Sequence, residues 1–112
     1  MKLFVGIDVS SEKLDVCFLT DDDQLSTLSE ISVSNDIEGA SLTREMILEF
    51  NENYLFDQII IGMESTSMYS FHPSMFFHED EELKKLNTLV TIENPFRIKQ
   101  FRRMFDEDKT DR

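Results

Sequence analysis

Two apolar runs, each closed by an acid, constrain this chain more than any other feature. Leu3-Phe4-Val5-Gly6-Ile7 leads into Asp8, and Ile59-Ile60-Ile61-Gly62-Met63 leads into Glu64. Runs this short and continuous, bounded by polar residues, read as strands. The unbroken Ile59-Ile60-Ile61 predicts burial on both faces, as in a central parallel strand covered by helices. Acids at the ends of such strands stand on rigid supports. A third acid, Asp111, lies in the charged tail Lys109-Thr110-Asp111-Arg112.

The remaining elements follow from periodicity. Residues 2–8 form the first strand. Ser10-Ser11-Glu12-Lys13 is turn-like, and Leu14 to Leu19 alternates as a second strand. Leu28 to Val33 is a weaker third. Short turns between the three predict an antiparallel meander. A helix follows, with Asn35 as cap and Glu38 completing a capping-box-like pair. Ile37, Ala40, Ile47, Phe50 and Tyr54 fall near one face of it, and Asn51-Glu52-Asn53 ends it. Asp57 to Met63 is the fourth strand. Ser65-Thr66-Ser67 is a cap for a helix holding Met68, Tyr69, Met75 and Phe76, with Pro73 in its first turns or kinking it. Glu79 to Leu86 adds a turn or two of helix, and Leu89 to Ile92 a fifth strand. Asn94-Pro95 starts a last helix, whose apolar stripe is Ile98, Phe101 and Phe105. The order β-β-β-α-β-α-β-α gives an α/β chain: a mixed five-stranded sheet of a three-strand antiparallel meander plus two parallel strands, with flanking helices. That is the ribonuclease-H-like order. Actin-like sugar kinases open the same way, so topology alone does not assign a function.

Composition narrows the classes. The chain of 112 residues fits one domain with one core. No run approaches a membrane span, and Met1-Lys2 enters a strand pattern directly, without a signal-peptide layout. The single cysteine, Cys17, excludes an internal disulfide and is read as a small buried hydrophobe. A cytoplasmic bacterial protein is expected. The net charge of −12 argues against phosphate-backbone binding by the whole surface, but its distribution qualifies this. Acids crowd Asp21-Asp22-Asp23 and Glu79-Asp80-Glu81-Glu82, read as solvated loops. Bases gather after Pro95: Arg97, Lys99, Arg102, Arg103, Lys109 and Arg112. Of these, Lys99, Arg102 and Arg103 are candidate phosphate contacts, against the plainer reading of a solvated basic helix face.

Phosphodiester chemistry needs divalent ions that activate an attacking oxygen and stabilise a leaving one. Mg²⁺ takes carboxylate oxygens and keeps some waters. Asp8, Glu64 and Asp111 are the candidate ligands, with Asp106 and Asp108 as alternatives in the tail. Each has a plain counterpart as a turn former, a solvated strand end or a terminal residue. Ser10 and Ser11 are read as turn residues in preference to phosphate contacts, Tyr69 as a core aromatic in preference to a base-stacking one, and His72 and His78 as surface or partly buried residues rather than metal ligands.

Gly6-Ile7-Asp8-Val9-Ser10, continuing Glu12-Lys13-Leu14-Asp15-Val16, resembles the opening of the DEDD transposases of bacterial insertion sequences. Glu64-Ser65-Thr66 with Tyr69 resembles that family's second motif. Asn94-Pro95, Ile98-Lys99-Gln100-Phe101 and Lys109-Thr110-Asp111 resemble its later ones. The motifs stand in family order across nearly the whole chain. The resemblance implies a ribonuclease-H-like domain similar to a Holliday-junction resolvase. It implies Asp8, Glu64 and Asp111 as the first three catalytic, metal-holding acids, with Mg²⁺ or Mn²⁺ as cofactor and DNA as substrate. A structured guide RNA and homo-oligomers are implied for full-length members. The family's fourth acid follows the third in an Asp-x-x-Asp motif. Residues 1–112 are therefore expected to be a catalytic-domain fragment that stops before that acid, lacks the family's C-terminal serine-containing domain, and has little activity alone. Ser67 stands where the family usually has glycine, and the stretch from Glu64 to Asn94 is long, which affects the helix packing expected there.

Two other readings make different demands. A non-catalytic nucleic-acid or protein interaction module would use the acidic surface for contacts, and separation of Asp8 from Glu64 in the fold would sink the metal reading. An actin-like phosphotransferase needs a glycine-rich phosphate loop after the first strand, and Ser10-Ser11-Glu12-Lys13 has no glycine.

Overall fold

The computed structural model describes residues 1–21, 26–64 and 71–93. Eight elements run in the order β1 (Lys2–Val9), β2 (Lys13–Thr20), β3 (Thr27–Ser34), α1 (Ile37–Tyr54), β4 (Gln58–Glu64), α2 (Phe71–Glu79), α3 (Glu81–Lys84) and β5 (Thr88–Glu93). The five strands form one sheet in the order β3-β2-β1-β4-β5. β1 pairs antiparallel with β2, and β2 with β3. β4 runs parallel to β1 on one side and to β5 on the other. This is the mixed sheet expected from the sequence, with β1 at its centre. The expected helix from Asn94 lies outside the described residues.

Strand alternation divides the sheet into two unlike faces. One face carries Leu3, Val5 and Ile7 of β1, Leu14, Val16 and Phe18 of β2, and Ile59, Ile61 and Met63 of β4, all essentially inaccessible. Ala40 and Ile47 of α1, Phe77 of α2 and Leu83 of α3 close over them into one core. Each fully buried aliphatic or aromatic side chain here stabilises the fold by roughly 1.5–3 kcal/mol over its exposed state. The other face carries a smaller cluster, Cys17 and Leu19 with half-buried Phe4. Ile60 lies on this side and is only half-buried. The expectation that β4 is buried on both faces is thus corrected: Ile59 and Ile61 are sealed and Ile60 is not. Among the described residues no helix is long and apolar enough to cross a membrane.

The start of α1 differs from the sequence reading by one residue. Asp36, not Asn35, is the cap: its backbone is extended and its Oδ1 accepts from the Gly39 amide at 2.8 Å. Ser34 Oγ donates to the same Oδ1 at 2.6 Å, and these bonds hold the Asp36 carboxyl below its ordinary pKa. Asn35 is engaged elsewhere, with its Nδ2 donating to the Ser10 carbonyl at 2.7 Å. Ile37 precedes the covered part of the helix and is exposed, whereas Thr43 takes an unforeseen place in the buried stripe. Its hydroxyl donates to the Gly39 carbonyl at 3.0 Å, which makes a polar side chain tolerable there. Phe50 packs on Phe18 with ring centroids 5.2 Å apart, and Tyr54 stacks on Phe56 at 5.6 Å. The helix runs past Asn53 to Tyr54, and Leu55 closes it in the left-handed region with φ 52°, its amide donating to the Asn51 carbonyl.

The two acidic blocks are more than solvated loops where they are described. Asp21 Oδ1 accepts from the Lys2 amide at 2.6 Å. Asp80 caps α3 through the Leu83 amide at 3.0 Å and accepts from Arg44 Nε at 2.6 Å. It thereby ties α3 to α1. Glu79, Glu81 and Glu82 are exposed, as are His72 and His78.

Candidate active site

Because β1, β4 and β5 are parallel, their C-terminal ends lie on one edge of the sheet. The β1–β4 register pairs Gly6 with Gly62 and Ile7 with Met63. One step further, position 8 stands beside position 64, on neighbouring strands about 4.8 Å apart. The β4–β5 register continues the line from Glu64 to Glu93, and the β1–β2 register places Asp15 opposite Asp8. Four acidic positions, 15, 8, 64 and 93, therefore occupy one row across four strands.

Asp8 is half-buried near the end of β1. The turn that follows it is closed by Ser10: its amide donates to the Lys13 carbonyl at 3.0 Å, and its Oγ both donates to that carbonyl and accepts from the Lys13 amide at 3.1 Å. The turn reading of Ser10 thus holds. Tight closure fixes the hairpin register, which in turn sets Asp15 against Asp8. Lys13 Nζ lies 3.8 Å from Asp15 Oδ2, a loose exposed pair that partly offsets the acidic row.

Among the described residues, no side chain covers the sheet at the two glycines beside the acids. A Cβ built on Gly6 or Gly62 would meet nothing within 4 Å. Paired glycines in strand interiors give up side-chain packing and leave room for close approach of another group. Here they leave a low floor next to positions 8 and 64, on the face opposite the main core.

The structure thus brings positions 8 and 64 to adjacent strand ends. Asp111, with its alternatives Asp106 and Asp108, lies outside the described residues. So do the candidate nucleic-acid contacts Lys99, Arg102 and Arg103, and the motif residues Ser65, Thr66, Tyr69, Asn94 and Pro95. Among the described residues no three His, Cys, Asp or Glu side chains form a group able to hold a metal ion. The acids in the row are oxygen donors, the ligand type that suits Mg²⁺ or Mn²⁺ rather than softer metals. Sequence reasoning did not place Asp15 and Glu93 in this row. Both were within reach: Glu93 closes an apolar strand as Asp8 and Glu64 do, and Asp15 follows from counting back across the Ser10–Lys13 turn. Cys17 is buried, as expected, and its Sγ donates to Glu30 Oε1 at 3.7 Å.

Comparison with known proteins bears on the fold and the family. The fold is similar to that of T. thermophilus RuvC in complex with Holliday junction substrate, with a TM-score of 0.51 and 12% identity over 88% of this chain and 69% of that one. A Fowlpox virus resolvase bound to Holliday junction DNA has a TM-score of 0.47 and 12% identity over 83% of this chain and 60% of that one. An Aquifex aeolicus Ppx/GppA phosphatase has a TM-score of 0.45 and 12% identity over 85% of this chain and 36% of that one. At such identities the RuvC likeness speaks for the fold alone. No curated protein sequence matches the chain. The family model described as Transposase, of the IS110-type DEDD class, matches residues 5–112. With that match over nearly its whole length, on a resolvase-like mixed sheet, the chain belongs to the IS110-type DEDD transposase family.

Proposed function

We propose that this domain cuts and joins DNA strands during transposition, with Asp8, Glu64 and Asp111 as the catalytic acids that hold Mg²⁺ or Mn²⁺. The observation that carries the reading is the parallel register that sets positions 8 and 64 side by side at one edge of the sheet. Family membership and the resolvase-like fold support a DNA-cleavage and recombination role. Divalent ions held by such carboxylates supply activation of the attacking oxygen and stabilisation of the leaving oxygen at a phosphodiester.

The chain's own contribution is placement. Strand ends hold Asp8 and Glu64 with little freedom to lose when a cation or a phosphate arrives. The Gly6–Gly62 floor admits a sugar-phosphate backbone close to them. Lys99, Arg102 and Arg103 supply counter-charge to DNA phosphates, which the acidic remainder of the chain does not. A structured guide RNA and assembly into homo-oligomers belong to the same reading of the full-length protein.

The test is strand cleavage of labelled branched and element-end DNA by the full-length transposase, titrated with Mg²⁺ and Mn²⁺. Asp8→Ala and Glu64→Ala are each expected to remove metal-dependent cutting while leaving the thermal transition in place. Retention of cutting by Asp8→Ala would refute the assignment.

A further inference from the structure

We propose that Asn35 is a positioning residue for Asp8, acting through the turn that links β1 to β2. The inference rests on the reading of Asp8 as a metal-holding acid. It adds a residue remote in sequence that no motif assigns.

The argument begins with the turn's carbonyls. Ser10 and Glu12 belong to the turn, and the internal bonds of Ser10 are made with Lys13. One residue outside the turn, in the connection between β3 and α1, takes both the Ser10 and Glu12 carbonyls. Asn35 Nδ2 donates to the Ser10 carbonyl at 2.7 Å, and the Asn35 amide donates to the Glu12 carbonyl at 3.0 Å. The two bonds grip the turn at points on either side of Ser11. Ser10 is two residues past Asp8, so the grip fixes the end of β1 from which Asp8 projects.

Asn35 is itself held on both sides. Before it, Ser34 pairs with Lys13 at the end of the β2–β3 ladder. After it, Asp36 caps α1 and receives Ser34 Oγ. Gly39 lies so close beneath this junction that a Cβ there would sit 1.7 Å from the Ser34 carbonyl oxygen. The junction is therefore a rigid post standing on α1 and β3, and Asn35 reaches from it to the turn. A general helix-capping role does not explain the contact, because Asp36 does the capping. Outer-shell hydrogen bonds that orient metal ligands typically matter by about 10–100-fold in metal affinity or activity, and small misplacements of reacting groups cost up to about 100-fold.

The experiment uses Asn35→Asp, which keeps the side chain's size and removes its Nδ2 donor. Thr43→Val serves as a comparison, since it removes a buried hydroxyl of α1 far along the chain from the turn. Two readouts are taken. In the 112-residue chain, hydrogen exchange of the Ser10 and Lys13 amides is expected to quicken in Asn35→Asp and not in Thr43→Val. In the full-length transposase, the Mn²⁺ concentration for half-maximal cleavage is expected to rise by about 10-fold in Asn35→Asp and to stay put in Thr43→Val. Unchanged amide exchange in Asn35→Asp overturns the brace, whatever the role of Asp8. Quickened exchange with an unmoved Mn²⁺ midpoint overturns the link to the site. Equal midpoint shifts in the two variants reduce the effect to general destabilisation and overturn it also. Failure of the metal reading itself shows separately, as metal-dependent cutting by Asp8→Ala.

Discussion

The unlike faces of β4 give a sharp test, because Ile60 and Ile61 are the same residue one step apart on one strand. Ile61 is wholly inaccessible within the main core, whereas Ile60 is half-buried on the opposite face. Truncation to alanine removes the same groups in both cases. Loss of buried hydrocarbon costs about 0.8 kcal/mol per methylene, or roughly 2.4 kcal/mol for a fully buried isoleucine cut back to alanine. At Ile61 the closed core cannot relax fully around the void. A cavity contribution then raises the total to about 4 kcal/mol, inside the roughly 2–5 kcal/mol range for such changes. At Ile60 about half the transfer cost is lost and no sealed void forms, giving about 1 kcal/mol. Domains of this size have only about 5–15 kcal/mol of net stability. The difference of about 3 kcal/mol corresponds to a gap of at least about 10 °C between the two melting temperatures. Urea unfolding followed by circular dichroism, with a thermal scan alongside, measures both variants against the parent. Equal destabilisation, or a larger loss for Ile60→Ala, would refute the one-sided core and restore burial of β4 on both faces.

Two further outcomes follow from the charged contacts. Asp80→Ala removes both the cap of α3 and the partner of Arg44 Nε, and the two side chains are largely covered, 15% and 23% exposed; a loss of about 2 kcal/mol is expected by denaturant midpoint, and a loss within about 0.5 kcal/mol would show that α3 is not anchored through this residue. The Met1 amino group donates to Asp57 Oδ2 at 2.6 Å; this contact raises the amino pKa above its ordinary 8.0 and lowers that of Asp57 below 3.8. The amino group's contribution is then complete below pH 8.0 and fades as pH rises through its raised folded value, while that of Asp57 fades as pH falls through its lowered one. N-terminal acetylation should flatten the alkaline limb of the melting-temperature profile, and an unchanged limb would count against the pair.

Much of the site could be read before any coordinates. The strands were legible because period-2 alternation and turn residues are local signals, and the positions of Asp8 and Glu64 at strand ends follow from them. The one-sided burial of β4 was not legible. Ile59-Ile60-Ile61 is equally apolar on both sides, so it is the main core with α1, α2 and α3, on one face among the described residues, that distinguishes Ile60 from its neighbours. The cap of α1 was ambiguous for a related reason. Ser34, Asn35 and Asp36 are all good caps, and the choice falls to Asp36 once Asn35 is drawn to the Ser10 turn. Asp80 looked like one acid in a solvated block because its partner Arg44 lies 36 residues away.

By itself the sequence determined the strand and helix periods and, through ordered motifs, the family. These rest on local sterics and on the cost of burying polar groups, which act residue by residue. Tertiary structure alone decided which face of the sheet is sealed, that positions 15, 8, 64 and 93 form one row, and that Asn35 grips the turn beside Asp8. Those are matters of register and of contacts between distant segments. Their energies exist only once the chain has closed on itself.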